Sequence, residues 1–190
     1  MDKKRIIVGI SGASGMPLAW ELLRQLRARR DQAETHLIYT EGAARTLLQE
    51  TGQTPQVLEK MADYVYDNQN IGAAPASGSF RTDGMIVVPC SMKTAAGIAS
   101  GYSDNLVLRA ADVTLKEQRP LVLVARETPM SPIHLRNLST LAALPSVSIL
   151  PPMMTYYHHP KAIEDMENQL IGKIFDRFGF AYPPFERWEG

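Results

Sequence analysis

Residues 5–15 read RIIVGISGASG, and this stretch decides the fold of the chain. The run RIIVGI is apolar and β-branched, which predicts a buried strand. The segment SGASG predicts a tight turn, and residues 16–30 then show helical spacing, with leucines at 18, 22, 23 and 26 on one side. A strand, turn and helix in this order is the unit with which α/β proteins present backbone N–H groups to a phosphate.

The form of the turn limits what it can bind. GASG at residues 12–15 matches neither GxGxxG nor the longer pattern that ends in GK[ST]. This argues against a standard dinucleotide site and a P-loop NTPase site, and it leaves open a mononucleotide phosphate such as that of FMN. The alternative is that the turn serves only the tight packing of a strand against a helix.

Composition indicates one domain over residues 1–190 and excludes several function classes. Acidic and basic residues balance at 20 each without a block of like charge, so we expect no nucleic-acid partner and no anionic membrane surface. Cys90 is the only cysteine, which excludes an internal disulfide and favours the cytoplasm. The first apolar run is broken at Gly9 and Gly12, too early for a signal peptide or a membrane span.

Apolar runs alternate with helical patterns along the chain. This alternation predicts an α/β fold, a single Rossmann-like (flavodoxin-like) doubly wound parallel sheet with helices on both faces. Ligands then belong at the C-terminal ends of the strands. The segments there (11–15, 40–41, 90–94, 126–127 and 151–157) are small, polar or charged, which predicts one shared pocket. We predict strands at 5–10, 36–40, 85–90, 121–125 and 147–150, and helices at 16–30, 42–50, 55–67, 94–101, 105–118, 132–144 and 162–178.

Three segments lack a periodic pattern. Residues 68–82 and 151–160 are long irregular loops, which in a compact domain are usually functional or mobile. The tail at residues 180–190 is aromatic and rich in proline, and it is too apolar to be solvated. We therefore expect the tail to pack on its own subunit or on a neighbour, which suggests an oligomer.

Several side chains are candidates for chemistry. Arg109, Asp112 and Lys116 share a predicted helix face, either as solvated ion pairs or as cations near an anionic ligand. Arg126 and Glu127 directly follow the most apolar strand and are better placed for a site. By contrast, we expect Cys90 to be a small buried thiol and His134 to be structural, and no spacing of histidines or cysteines indicates a metal site.

The chain resembles the flavin prenyltransferases, the UbiX-like enzymes also described as phenylacrylic or aromatic acid decarboxylase subunits. The similarity extends nearly from end to end. The longest shared motif is NLVLRAADVTLKEQRPLVLVARETP at residues 105–129. The others are GASG (12–15), PASGS (75–79), PCSMKT (89–94), IHLRN (133–137), YHHP (157–160) and RW (187–188).

The resemblance implies an activity. The family transfers a dimethylallyl group from dimethylallyl monophosphate to N5 and C6 of reduced FMN, releases phosphate, and passes the prenylated FMN to a UbiD-like (de)carboxylase. It uses no metal and assembles as homododecamers. The resemblance also implies FMN contacts for ten residues: Gly12, Ala13, Ser14, Thr40, Ser91, Met92, Lys93, Thr94, Arg109 and Arg126.

The same resemblance implies which residues act on the prenyl donor. Ser14 is expected near flavin N5, and Trp188 is the tail aromatic that reaches the site. Glu50, Lys116, Arg126 and Glu127 resemble the groups around the prenyl phosphate, and Tyr157 and Lys173 resemble its second clamp. At position 173 the family often has arginine, and lysine keeps the charge but loses the bidentate fork.

Two other functions stay open at this stage. Flavin-dependent cysteine decarboxylases have a related fold, but they carry a PxMNxxMW-type segment where this chain has PMMTYY at residues 152–157, without the asparagine. The second is a non-enzymatic FMN-binding subunit of an aromatic acid decarboxylase.

Overall fold

Six strands form one all-parallel sheet within residues 3–188, the part of the chain that this computed structural model describes. The strands are β1 (Lys4–Ile10), β2 (Ala33–Tyr39), β3 (Tyr64–Tyr66), β4 (Gly84–Cys90), β5 (Leu121–Ala125) and β6 (Val147–Ile149). Their order in the sheet is β3-β2-β1-β4-β5-β6, so the chain winds outward from β1 in one direction and from β4 in the other. The predicted doubly wound parallel sheet is confirmed.

Helices cover both faces of the sheet, and each face has its own apolar core. Alternate strand residues point to opposite faces, as the period of two requires. The helices are α1 (Met16–Arg27), α2 (Glu41–Thr51), α3 (Gln56–Glu59), α4 (Met92–Ser100), α5 (Leu106–Lys116), α6 (Pro132–Ala142) and α7 (Ile163–Asp176). Ile6, Val8 and Ile10 pack with α1, α2, α3 and α7, whereas Met85 and Val87 pack with α4, α5 and α6.

The prediction of one helix over residues 55–67 is wrong. The segment forms only the four-residue helix α3, and residues 64–66 form the edge strand β3, which pairs with β2. Tyr64 and Tyr66 explain the difference, because both rings stack on the buried imidazole of His36 in β2, with centroids 4.8 and 5.8 Å away. Cross-strand aromatic contacts of this kind favour a strand over the helical spacing of the sequence.

The C-terminal tail lies against α7 of its own chain. Phe180, Tyr182 and Phe185 are buried, and the ring of Phe185 sits where α7 has no side chain, at Gly172. A Cβ atom at Gly172 would lie 2.2 Å from that ring, so this close approach requires glycine. The predicted tail extends to residue 190, but residues 189 and 190 lie outside the part of the chain that the structure describes.

The irregular loop at residues 68–82 contains one 3-10 turn (Ala74–Ala76) and is held by arginines. The Arg109 Nε donates to the Ala76 carbonyl at 3.3 Å, and Arg119 donates to the carbonyls of Gly78 and Phe80. Between residues 3 and 188, no helix is both long and apolar enough to cross a membrane.

From the burial of His36 we predict that the stability of the fold depends on pH. It is 2% exposed, its Nδ1 pairs with the Tyr66 hydroxyl and its Nε2 with Glu34, both at 2.8 Å. Burial lowers the pKa of His36, and the hydrogen bond to Glu34 offsets this only in part. Because the unfolded chain then binds the proton more tightly than the folded one, His36 stabilises the fold above its unfolded pKa of about 6.5, and this contribution falls as the pH drops.

We expect the free energy of unfolding, from urea titrations, to decrease between pH 7.5 and pH 5.5. His36→Phe keeps an aromatic ring but cannot be protonated, so its decrease should be smaller than that of the unmodified protein. Equal decreases in both proteins would mean that His36 does not cause the effect. The carboxyl of Glu34, whose pKa is lowered chiefly by Arg5, titrates below this pH window.

Candidate functional site

The buried hydroxyl of Ser11 joins the two strands between which the sheet reverses its winding. Ser11 directly follows β1, is 1% exposed, and donates its hydroxyl hydrogen to the Pro89 carbonyl of β4 at 2.9 Å. The same oxygen accepts the Ser91 N–H at 2.8 Å. The C-terminal ends of β1 and β4 are therefore fixed relative to each other at the point where doubly wound folds bind ligands.

A cavity of about 480 Å³, the crevice, opens at this point. The loops after β1, β2 and β4 form one side of it, and the segments around Asn68 and Asn105 form the other. Five of the predicted FMN contacts line it: Gly12, Thr40, Ser91, Lys93 and Thr94. The remaining lining residues are Ser11, Glu41, Gly42, Gln69, Asp104 and Leu108.

Three helix N-termini meet at the crevice. Thr40, Ser91 and Asn105 are the N-cap residues of α2, α4 and α5, and each side chain accepts a backbone N–H of its own helix. The positive ends of the helix dipoles and the exposed ammonium of Lys93 favour an anion here, whereas Glu41 and Asp104 add negative charge at the rim. These residues fit the phosphate of a mononucleotide.

The crevice also requires a glycine at position 12. A Cβ atom there would lie 2.9 Å from the carbonyl carbon of Gly42, so only glycine lets the loop after β1 approach the start of α2 this closely. The predicted contact Ala13 is half-buried in the same turn, where its N–H donates to the Ser11 carbonyl at 3.0 Å.

At the end of the 12–15 turn, the N–H groups that open α1 are already taken by a carboxylate and are not available to a phosphate. The N–H groups of Gly15 and Met16, at the start of α1, donate to the carboxylate of Glu50 at 3.1 and 2.8 Å. Burial by itself would raise the pKa of Glu50, but the hydrogen bonds from Ser14, Met16 and Gly15 and the charge of Arg126 together lower it. Glu50 thus caps α1, and an incoming anion would meet a carboxylate there.

A second cavity of about 600 Å³, the Arg126 cavity, lies beyond this turn. Ser14 and Gly15 line it from the turn, and Arg126, Glu127 and Thr128 line it from the end of β5. Arg126 and Glu127 are half-buried, and one carboxylate oxygen of Glu127 accepts the Thr128 N–H at 3.0 Å. Its other lining residues are mostly apolar: Ala125, Met130, Pro151, Pro152, Met153, Met154 and Tyr156.

Three predicted residues from the end of the chain meet in a third cavity of about 570 Å³, the Tyr157 cavity. Tyr157 and Trp188 are 83% and 78% exposed, and their rings meet edge to face with centroids 6.0 Å apart. The Lys173 ammonium lies 5.2 Å from the centre of the Phe185 ring. The sequence predicted one shared pocket, but within one copy of the chain the predicted residues are divided among three cavities.

Three other predicted residues lie outside these cavities. The Met92 side chain is buried in the core beneath α4, so its contact with a ligand would have to come from its backbone. Arg109 pairs with Asp112 at 2.5 Å. Lys116 pairs with Glu117 and not with Asp112, which corrects the ion-pair face expected on α5.

The residues for which we expected structural roles have them. Cys90 is fully buried, and burial raises the pKa of its thiol to about 12, so it does not form a reactive thiolate near neutral pH. His134 closes a capping box with Ser131 at the start of α6. Across residues 3–188, no cluster of three or more His, Cys, Asp or Glu is arranged to hold a metal ion.

Sequence comparison relates the whole chain to flavin enzymes. The profile of the Flavoprotein family matches residues 1–177. The flavin prenyltransferase LpdB of Lactiplantibacillus plantarum (strain ATCC BAA-793 / NCIMB 8826 / WCFS1) is 51% identical over 187 residues, which cover 98% of this chain and 99% of that protein.

Solved structures show the same relationship. The crystal structure of AnUbiX (PadA1) in complex with FMN and dimethylallyl pyrophosphate has a TM-score of 0.94 at 46% identity and covers 100% of this chain and 99% of its own. A dodecameric FMN-dependent UbiX-like decarboxylase of Escherichia coli O157:H7 has the same TM-score and identity, over 98% and 100% of the two chains. The peptidyl-cysteine decarboxylase EpiD shares only the fold, at 17% identity and a TM-score of 0.62, over 81% and 84% of the two chains.

The two hydrogen bonds of the Ser11 hydroxyl predict how its removal changes the stability of the fold. Ser11→Ala leaves the Ser91 N–H without its acceptor in a buried setting, which should lower the free energy of unfolding by about 1–3 kcal/mol. Ser100→Ala removes an exposed hydroxyl on α4 and serves as the control. Urea unfolding curves measure both variants, and equal stabilities would show that the Ser11 bridge contributes nothing.

Proposed function

Because the chain belongs to the Flavoprotein family and within it to the UbiX-like flavin prenyltransferases, we propose that it transfers a dimethylallyl group from dimethylallyl phosphate to reduced FMN. The C–O bond of the donor breaks with its electron pair remaining on phosphate. New carbon bonds form at N5 and C6 of the flavin, and each displaces one hydrogen as a proton. One proton adds to a carbon of the donor's double bond while the other carbon of that double bond joins the ring, and the second proton leaves with the phosphate. One donor and one reduced FMN thus give one prenylated FMN and one phosphate.

The observation that carries this proposal is the position of the 12–15 turn between two cavities of different chemistry. Gly12 lines the crevice, where three helix N-termini meet, and Ser14, two residues later, lines the Arg126 cavity. A flavin in the crevice and a prenyl phosphate beside Arg126 would therefore approach each other across this turn.

The crevice residues would hold FMN. Thr40, Ser91, Thr94 and Lys93 supply hydroxyl groups, helix N-termini and a positive charge, which fit its phosphate. Reduced FMN supplies the electron-rich centre that the allyl group alkylates. The chain's contribution on this side is to bind the flavin and to hold its reactive edge near Ser14, which lies beside the carboxylate of Glu50.

Arg126 and Glu127 would act on the leaving phosphate. The guanidinium neutralises negative charge that builds up on the phosphate as the C–O bond breaks, and the carboxyl group of Glu127 donates a proton to it. Glu50 lies close enough to Arg126 for their charges to interact. The guanidinium would therefore lie between the Glu50 carboxylate and the leaving phosphate. The apolar side chains that line most of the cavity would disfavour water, which would otherwise capture the allyl cation.

We further propose that neighbouring copies complete the site in a homododecamer. Tyr157, Lys173 and Trp188 share a cavity separate from Arg126 and are largely exposed in the single chain. Exposed aromatic groups of this size are typical of an interface. Lys116 and Arg109, which lie outside all three cavities, would likewise serve the site of an adjacent copy or reorient when the ligands bind.

The product would be used by a second enzyme. Prenylated FMN has no further role in this reaction, which supports its delivery to a UbiD-like (de)carboxylase. The single buried cysteine supports a reducing compartment, and we place the activity in the cytoplasm on that ground.

Incubation with reduced FMN and dimethylallyl phosphate tests the activity directly. Mass spectrometry of the reaction products should show a flavin that carries one added five-carbon unit, together with one released phosphate. A cysteine decarboxylase or a non-enzymatic FMN-binding subunit would leave the flavin unchanged, and that result would refute the proposal.

Glu127→Gln tests the proton donor. The amide keeps the size of the side chain but cannot protonate phosphate, so the single-turnover rate of transfer should fall on the order of 100- to 10,000-fold. FMN affinity, measured by fluorescence titration, should stay near that of the unmodified enzyme. Glu21→Gln on α1, away from the cavity, is the control, and a normal rate for Glu127→Gln would remove this residue from the mechanism.

Lys173→Ala tests the second phosphate clamp. Loss of a charged hydrogen-bond donor should weaken dimethylallyl phosphate binding by about 1.5–3 kcal/mol and leave FMN bound. Lys173→Arg should bind the donor at least as tightly as the unmodified protein, because the guanidinium forks to phosphate. Lys60→Ala is the control, and isothermal titration measures all four proteins. Full activity of a dilute monomer, identified by light scattering, would contradict completion of the site by a neighbour.

A further inference from the structure

Three contacts tie the C-terminal tail to one face of α7. The Tyr182 hydroxyl donates to Asn168 at 2.5 Å, the Phe185 ring lies against Gly172, and the Arg187 guanidinium pairs with Asp176 at 2.5 Å. The three positions on α7 are four residues apart, so they follow one another along a single face of the helix. The tail therefore runs along α7 in a fixed register, with Phe185 at the middle contact.

The middle contact fixes an aromatic ring beside the Tyr157 cavity. Phe185 is 9% exposed, and its ring occupies the place that a side chain at position 172 would take. The ring also lines the cavity. Packing on α7 thus sets where this wall of the cavity lies.

The Lys173 ammonium lies close to this ring although its side chain is exposed. Lys173 directly follows Gly172, and its Nζ is 5.2 Å from the centre of the Phe185 ring. At this distance the negative face of an aromatic ring attracts a cation. The face accepts no conventional hydrogen bond, so the N–H donors of the ammonium stay available to a phosphate.

A second cation near the ring is already neutralised. The Arg187 guanidinium lies 4.9 Å from the ring centre, but it forms an ion pair with Asp176. Lys173 is therefore the cation that the Phe185 ring can orient for an incoming anion.

We infer that Phe185 is a positioning residue for the prenyl phosphate: its ring, seated at Gly172, orients the Lys173 ammonium toward the donor. The inference rests on the proposed function, in which Lys173 clamps that phosphate. An exposed lysine side chain loses conformational freedom when it binds a ligand, and an ammonium already held at a ring loses less. Donor affinity should therefore depend on the ring, whereas FMN binding in the crevice should not.

Phe185→Leu tests this role, because leucine stays apolar but has no aromatic face. Isothermal titration should show dimethylallyl phosphate bound about two- to fivefold more weakly, the size of a cation–π contact at an exposed site. FMN affinity, from fluorescence titration, should be unchanged. Phe180→Leu is the matched control, since Phe180 is a buried ring of the same tail that does not line the Tyr157 cavity.

A double-mutant cycle with Lys173→Ala separates positioning from a general effect on packing. If the ring acts through Lys173, Phe185→Leu should weaken donor binding by less than about 1.5-fold once Lys173 is alanine. The kcat/KM for the donor reports the same loss where binding is too weak for calorimetry. Gly172→Ala displaces the ring and leaves both side chains in place, so it should weaken donor binding at least as much as Phe185→Leu.

Two results would overturn the inference alone, in a protein that alkylates reduced FMN normally. One is an equal loss of donor affinity from Phe185→Leu with and without the Lys173 side chain. The other is unchanged donor affinity in both Phe185→Leu and Gly172→Ala. If the unmodified protein adds no five-carbon unit to the flavin, the proposed function is wrong and this inference is wrong with it.

Discussion

The arrangement of the site depends on the hydrogen bonds of one buried hydroxyl. Ser11 stands where β1 ends, and its oxygen both donates to the Pro89 carbonyl and accepts the Ser91 N–H. This fixes the end of β1 to the loop that opens α4. The same loop carries Ser91, Lys93 and Thr94 into the crevice, and the turn after Ser11 separates the crevice from the Arg126 cavity. A buried hydroxyl can do this because it donates to one protein group and accepts from another, so both segments are held by the same oxygen.

The two cavities differ in their electrostatics. At the crevice, the N-termini of α2, α4 and α5 converge and attract an anion. At the start of α1, the carboxylate of Glu50 already occupies the equivalent position. The negative group of a ligand is therefore directed away from α1, and Arg126 becomes the cation available on that side. Under the proposed function, the flavin phosphate would therefore lie in the crevice and the donor phosphate beside Arg126.

The sequence predicted most elements because their local signals agreed with the tertiary structure. The strands at residues 85–90 and 121–125 are apolar throughout and are buried on both faces. It failed at residues 55–67, where helical spacing is present but Tyr64 and Tyr66 stack on His36 from a distant part of the chain. It also missed the bridging role of Ser11, for which a polar residue directly after an apolar strand is the only signal.

The sequence by itself determined that strands and helices alternate, that strand ends carry the polar groups, and which family the chain resembles. The first two properties follow from periodicity and composition, and the resemblance follows from motifs shared with the family; all of these are local in the sequence. Only the tertiary structure decided that Glu50 occupies the N-terminus of α1 and that Lys116 pairs with Glu117. It also separated Tyr157, Lys173 and Trp188 from Arg126. The reason is that hydrogen bonds between residues far apart in the chain depend on how the helices pack on the sheet, and no local pattern encodes that packing.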